Sequence, residues 1–140
     1  MIYGIGTDIV AVARLRRMEQ DHGAALAQRL LGPGELEAYA SAAKPHRLLA
    51  KRFAAKEALG KALGTGLRAP ASLRNIEVRH DAHGKPRFEF AASLAAHLAS
   101  LGLTAHLSLS DEADYAVAFV VLEQTVQQTI EQTTPSTKGS

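Results

Sequence analysis

The residues of this 140-residue chain whose types and spacing call for a chemical role are Asp8, Glu57 and Lys61. Asp8 follows an apolar run, Ile2 to Gly6, that contains two glycines; a carboxylate there sits where the chain leaves a sheet and can face a cleft. Glu57 is the one acid between Lys44 and Arg74, among eight basic residues (Lys44, Arg47, Lys51, Arg52, Lys56, Lys61, Arg68 and Arg74). It stands four residues before Lys61, which puts the two on one helical face. Two carboxylates suit a hard divalent cation that takes its remaining ligands from phosphate and water, and the basic segment calls for an anionic partner. Each residue also has a plainer reading: Asp8 as a helix N-cap or first-turn acid ahead of Ala11, and Glu57 with Lys61 as an exposed ion pair worth under about 1 kcal/mol.

Composition narrows the classes. The chain is 46% hydrophobic and 21% charged, as in ordinary globular domains. No apolar run approaches the roughly 20 residues that span a bilayer, so no membrane association is expected. Cysteine is absent, which excludes disulfides, zinc thiolates and thiol catalysis. A net charge of +2 does not demand nucleic acid. Neither a basic leader nor a long apolar stretch precedes Asp8, the first charged residue, so a cytoplasmic setting is expected. His80 and His83 straddle a turn and read as a solvated hairpin rather than a metal site.

The elements that must position these side chains follow from periodicity. Ile2, Ile5, Ile9 and Val10, with Gly4 and Gly6 between them, read as a short buried strand ending near Asp8, followed by a helix that buries Val12, Leu15, Met18, Leu26 and Leu30 and is interrupted around Asp21 to Gly23. A short helix is expected over 35–43 and a long one over 46–63, stopped by Gly64 and Gly66, with a polar, mostly basic outer face. Alternation around the turn residues Asp81 to Gly84 predicts a hairpin; Leu94, Leu98 and Leu101 mark a further helix. Segments 106–110 and 115–122 read as two strands, the second apolar on both faces and therefore central. The expectation is one α+β domain over 1–123, its antiparallel sheet made mainly by the two later hairpins, with a polar, disordered tail over 124–140.

The string Lys51-Arg-Phe-Ala-Ala-Lys-Glu57-Ala-Leu-Gly-Lys61-Ala-Leu-Gly-Thr-Gly66, taken with Gly6-Thr-Asp8-Ile-Val10, resembles the two-part signature of phosphopantetheinyl transferases. The likeness runs from Met1 to about Glu123, takes in Gly84-Lys85-Pro86 and His106 to Ser110, and is closest to the small single-domain holo-acyl-carrier-protein synthases. It implies a 4'-phosphopantetheinyl transferase-like fold and transfer of phosphopantetheine from coenzyme A to a serine of an apo-acyl-carrier protein, in support of fatty-acid biosynthesis.

The resemblance also implies roles. Asp8 and Glu57 match the family's magnesium ligands. Glu57 is the candidate base, directly or through water, and Lys61 the residue that steadies or protonates the leaving phosphate. Arg52, Lys44 and His106 would meet the phosphates of coenzyme A, Gly64 and Gly66 would let backbone approach the nucleotide, and Lys85 and Pro86 would lie on its adenine side. Arg14 and Arg17 would receive an acidic acyl carrier protein. A homotrimer with coenzyme A between subunits is implied as well. Some relatives carry a histidine where this chain has Ser110 or Asp111, so that element is left outside the catalytic set. Two other classes stay open on sequence: a coenzyme A hydrolase using the same carboxylates, and a non-catalytic module binding anions through the basic segment.

Overall fold

A computed structural model describes residues 1–126 of the chain. Strand β1 (Ile2–Ala11) leads into helices α1 (Val12–His22), α2 (Ala25–Leu30), α3 (Pro33–Ala40) and α4 (Pro45–Leu63). A single 3-10 turn, Leu73–Asn75, then introduces the hairpin β2 (Ile76–His80) and β3 (Pro86–Phe90), followed by α5 (Ala92–Ser100), β4 (Leu103–Asp111) and β5 (Tyr115–Gln124). The class is α+β, as expected, and β5 is central in an antiparallel sheet of order β1-β5-β4.

Two expectations about the sheet change. The hairpins do not merge: β2 and β3 form a separate two-stranded sheet, and the third strand of the main sheet is β1. Helix α5 connects the hairpins and packs against both β3 and β4, which also touch each other directly. The first strand also runs past Asp8, which pairs with Ala118 in mid-strand; Ala11 is the N-cap of α1, so Asp8 caps nothing. The break between α1 and α2 falls at Gly23, whose φ of +59° suits glycine.

Helix α4 organises the domain. It packs on β1, β5, α1 and the hairpin, and twelve of its nineteen residues are buried. The polar outer face expected from sequence is therefore wrong for Arg52 and Lys56, which turn inward. The close crossing over β1 depends on glycine: a Cβ on Gly4 would overlap the Ala62 carbonyl, and one on Gly6 the Ala58 carbonyl. Four helical residues rise about 6 Å and two strand residues about 6.6 Å, so the two elements stay in step over this stretch. Continuing the step brings Asp8 alongside the turn that ends in Glu57. Gly6→Ala is expected to destabilise the protein by at least about 1–3 kcal/mol, as overpacking against backbone does; urea unfolding measures it.

The inner sheet face (Val10, Ala116, Ala118, Val120 and Leu122) closes the core with Leu49 and Leu59 of α4. Its outer face is open and apolar, so the first strand is not buried as expected: within one subunit nothing covers this face, and Ile5 and Ile9 are 60% and 63% exposed, Tyr115 and Phe119 53% and 45%. At the far end β5 includes Gln124, whose backbone N–H donates to the Met1 carbonyl and whose side chain donates to the Leu101 carbonyl at 3.0 Å. Gln124, expected at the start of the tail, thus belongs to β5, and the rest of that expectation over 127–140 lies outside the described residues. Among the described residues no helix is long and apolar enough to cross a membrane.

Candidate active site

Register between β1 and α4 delivers the first group of side chains. Lys61 Nζ donates to the Thr7 carbonyl at 2.9 Å and to Asp8 Oδ1 at 3.1 Å. Its ionic partner is therefore Asp8 on the strand and not Glu57 on its own helix, which removes the plainer reading of that spacing. The Asp8 side chain is 18% exposed and the Lys61 side chain 54%, so the pair is open to solvent on the lysine side. Glu57, half-buried, lies one turn back on the same helix face. Beyond Lys61 the helix ends at Gly64 in the left-handed conformation, φ +80°, and Gly66 (φ +69°) donates back to the Gly60 carbonyl at 3.1 Å. Gly64 and Thr65 open onto a cavity of about 450 Å³ that Tyr3, Arg68 and His97 also line.

Asp8 and Glu57 offer the oxygen donors that magnesium takes. Among the described residues no three His, Asp or Glu side chains gather into a cluster that could hold a metal by themselves. Two carboxylates are few enough that such an ion would take most of its ligands from phosphate and water, and Lys61 would have to give up Asp8 Oδ1 to it.

The remaining candidates fall elsewhere. Arg52 is only 6% exposed, with Nε 3.1 Å from Glu35 Oε2, and it lines a cavity of about 400 Å³ with Arg79, His80 and Arg87. Desolvation first, then the charges of Arg52 and Lys51, holds the His80 imidazole below its ordinary value. Lys85, Pro86 and His106 share a neighbouring cavity of about 360 Å³, continuous in lining with the former through Arg87. His106 is exposed on the open sheet face, its Nε2 2.9 Å from Glu123 Oε2. Arg14 lies with its guanidinium carbon 5.3 Å from the centre of the Phe53 ring, while Arg17 is exposed. Lys44 immediately precedes α4, thirteen residues and so about 20 Å along the axis from Glu57. Asp111 pairs with Arg47 at 2.7 Å, and Asp81 ties the hairpin turn by accepting from the N–H groups of His83 and Lys85.

Glu35 was not singled out from the sequence, yet it anchors the most buried polar cluster. It accepts from the Gly32 and Val78 N–H groups, each at 3.0 Å, and from Lys56 Nζ, with Arg52 beside it. Lys56, fully buried, also donates to the carbonyls of Leu30 (2.6 Å) and Leu73 (3.0 Å). Four of the eight basic residues thus have a carboxylate partner within the domain: Arg52 and Lys56 in this buried cluster, and Arg47 and Lys61 nearer the surface. Gly32-Pro33-Gly34-Glu35, a proline-led helix start with an acid at its third position, was the available signal.

An α+β domain that sets two carboxylates and a lysine at one edge of its sheet, with cationic cavities beside its hairpin, belongs to the class that handles phosphorylated ligands. Residues 4–120 match the family model described as the 4'-phosphopantetheinyl transferase superfamily. The holo-[acyl-carrier-protein] synthase of Dechloromonas aromatica is 59% identical over 123 residues, covering 88% of this chain and 98% of that protein. The crystal structure of holo-[acyl-carrier-protein] synthase from Neisseria meningitidis superposes with a TM-score of 0.87 at 51% identity, covering 89% of this chain and 100% of that one. The Bacillus anthracis synthase, solved in complex with CoA (3',5'-ADP), gives 0.75 at 35% identity, covering 89% and 99%. The chain belongs to the 4'-phosphopantetheinyl transferase superfamily.

Proposed function

We propose that this protein transfers the 4'-phosphopantetheine group of coenzyme A to a serine of an apo-acyl-carrier protein, releasing adenosine 3',5'-bisphosphate and supporting fatty-acid biosynthesis. The observation that carries the reading is the Asp8–Lys61 pair with Glu57 one turn away, in a chain whose relatives across nearly their whole length are named for this reaction. Coenzyme A as donor is supported by its presence in related structures from Bacillus anthracis and Helicobacter pylori. The cytoplasmic setting expected from the sequence is carried as part of this reading.

In the reaction the serine Oγ forms a bond to the β-phosphorus as the bridging oxygen to the α-phosphate departs. Asp8 and Glu57 would hold magnesium, which when bound neutralises charge on the pyrophosphate. Glu57 takes the serine proton, directly or through a water. Lys61, swinging from Asp8, meets the negative charge that develops on the departing phosphate. Gly64 and Gly66, lacking Cβ atoms, let the backbone lie close to the nucleotide. Arg14 and Arg17 face the incoming carrier.

Arg52, Lys85, Pro86 and His106 serve the nucleotide end of the donor, and their location supports a trimer. Asp8 lies on β1 and faces α4, whereas His106 lies on β4, at the opposite edge of the sheet and on its outer face. One subunit does not wrap both groups around one donor. Packing of the open apolar face against other copies would cover Ile5, Ile9 and Phe119 and bring the halves together across a boundary.

The test is mass spectrometry of an apo carrier incubated with the protein, coenzyme A and magnesium. The carrier serine is expected to gain one phosphopantetheine. Release of the bisphosphate with no gain on any carrier would overturn the transferase reading in favour of hydrolysis.

A further inference from the structure

One charged side chain of the first hairpin has no ionic partner. Glu77, Arg79, Arg87 and Glu89 share a face of β2 and β3, with Arg79 directly opposite Arg87 and Glu77 directly opposite Glu89. Arg79 takes both acids: its Nη2 lies 2.8 Å from Glu77 Oε2 and its Nε 3.4 Å from Glu89 Oε2. Asp81, the other carboxylate of the hairpin, accepts from the turn N–H groups of His83 and Lys85. Arg87 is exposed, and among the described residues it has no carboxylate within 4.0 Å. Like charges directly opposite each other destabilise a strand pair, so an unpaired arginine facing another arginine is a cost that packing does not explain.

Its position gives that arginine a use. Arg87 alone lines both cavities beside the hairpin: the first also holds Arg52 and His80, the second Lys85, Pro86 and His106. Arg52 is almost wholly buried beside Glu35, whereas Arg87 is open to solvent between the two. With Lys85 and Pro86 on the adenine side of coenzyme A, the group that falls at this junction is the phosphate on the 3'-oxygen of the same ribose. We propose that Arg87 is a specificity-determining residue that reads this 3'-phosphate and so sets the preference for coenzyme A over its 3'-dephospho form. This rests on the transferase reading and adds a residue to the nucleotide end of the site.

The chemistry favours a phosphate monoester over the pyrophosphate of the same donor. A guanidinium without an internal carboxylate can give two parallel N–H···O bonds to one dianionic phosphate. The pyrophosphate is drawn instead to Asp8, Glu57 and Lys61, beside β1, whereas the hairpin touches β4 at the opposite edge of the main sheet.

The experiment compares wild type with Arg87→Gln in steady-state transfer, with coenzyme A and 3'-dephospho-coenzyme A as alternative donors. The variant is expected to raise KM for coenzyme A about tenfold, leaving KM for the dephospho donor, KM for the carrier and kcat unchanged. Arg87→Lys should recover part of the loss, because it restores the charge without the fork, and it reads the same split should Arg87→Gln misfold. The thermal midpoint of Arg87→Gln should be held or raised, since the charge facing Arg79 is gone. Calorimetry with adenosine 3',5'-bisphosphate and adenosine 5'-monophosphate gives a readout independent of transfer: the variant should bind the first about tenfold more weakly and the second as wild type does. An unchanged KM for coenzyme A overturns the proposal, and so does an equal rise for both donors or a wild type that uses both equally well. If wild type modifies no carrier while Arg87→Gln still loses affinity for the bisphosphate alone, the transferase reading fails and the assignment of Arg87 stands.

Discussion

Asp8→Asn and Glu57→Gln are each expected to lower kcat for phosphopantetheine transfer by about a thousandfold, while leaving the fold intact. Each change removes one negative charge and almost no volume, and acts where charge on a pyrophosphate must be held and redistributed, a term of several kcal/mol in reactions of this kind. Stability should hardly respond. Asp8 loses only its pairing with Lys61, whose side chain is 54% exposed, and exposed pairs contribute under about 1 kcal/mol. Steady-state rates measured beside urea unfolding separate the two quantities. A thousandfold loss with unchanged stability supports the assignment; a variant that keeps a tenth of the wild-type rate at saturating magnesium would remove that carboxylate from the site. Paramagnetic resonance of Mn²⁺ gives a second readout, because each variant should bind the ion more weakly whether or not the carrier is present.

The largest stability effect should come from Glu35→Ala. Glu35 is 1% exposed and Lys56 0%, so the substitution strands an ammonium and the nearby Arg52 guanidinium inside the protein. Breaking a buried ion pair from one side costs about 3–5 kcal/mol, because the surviving charge keeps its desolvation penalty. The double variant Glu35→Leu with Lys56→Met should recover a substantial part of that loss, since it removes both charges of the closest pair. Burial already pushes the Lys56 pKa down, and Glu35 opposes that shift. Removing Glu35 deepens the depression. Between the folded pKa and the unfolded value of about 10.4 the unfolded chain binds more protons, so stability there rises with pH. The Glu35→Ala defect should therefore shrink as the pH is raised toward 10, and a defect independent of alkaline pH would mean that Lys56 is not carrying the stranded charge.

Much of this was legible in the chain, for reasons that differ by element. The central position of β5 could be read because its residues are apolar on both faces, and the end of α4 because Gly64 supplies the left-handed conformation a helix stop uses. The extent of β1 was not, because Asp8 looks like a cap until its partner Ala118, 110 residues away, is known. The outer face of α4 was misread for a similar reason. Basic residues at helical spacing signal a solvated face unless something packs over them, and what meets Arg52 and Lys56 is Glu35 of α3, with the end of α2, the 3-10 turn and the hairpin. The Asp8–Lys61 contact was hidden as well, since an acid four residues before a lysine on the same helix offers a local partner that the strand then displaces.

The two ends of the described domain lie side by side. The Met1 amino group donates to the Gln124 carbonyl at 3.2 Å, and the Gln124 N–H donates back to the Met1 carbonyl. Topologically the domain is nearly a closed ring, so its order of synthesis and its architecture are separable. A circular permutant that joins the two ends by a short glycine-serine bridge and opens the ring at the exposed Asp81–Gly84 turn should keep the α4–β1 crossing untouched. It would also place both new ends at the hairpin turn and leave β1 continuous in sequence with β5.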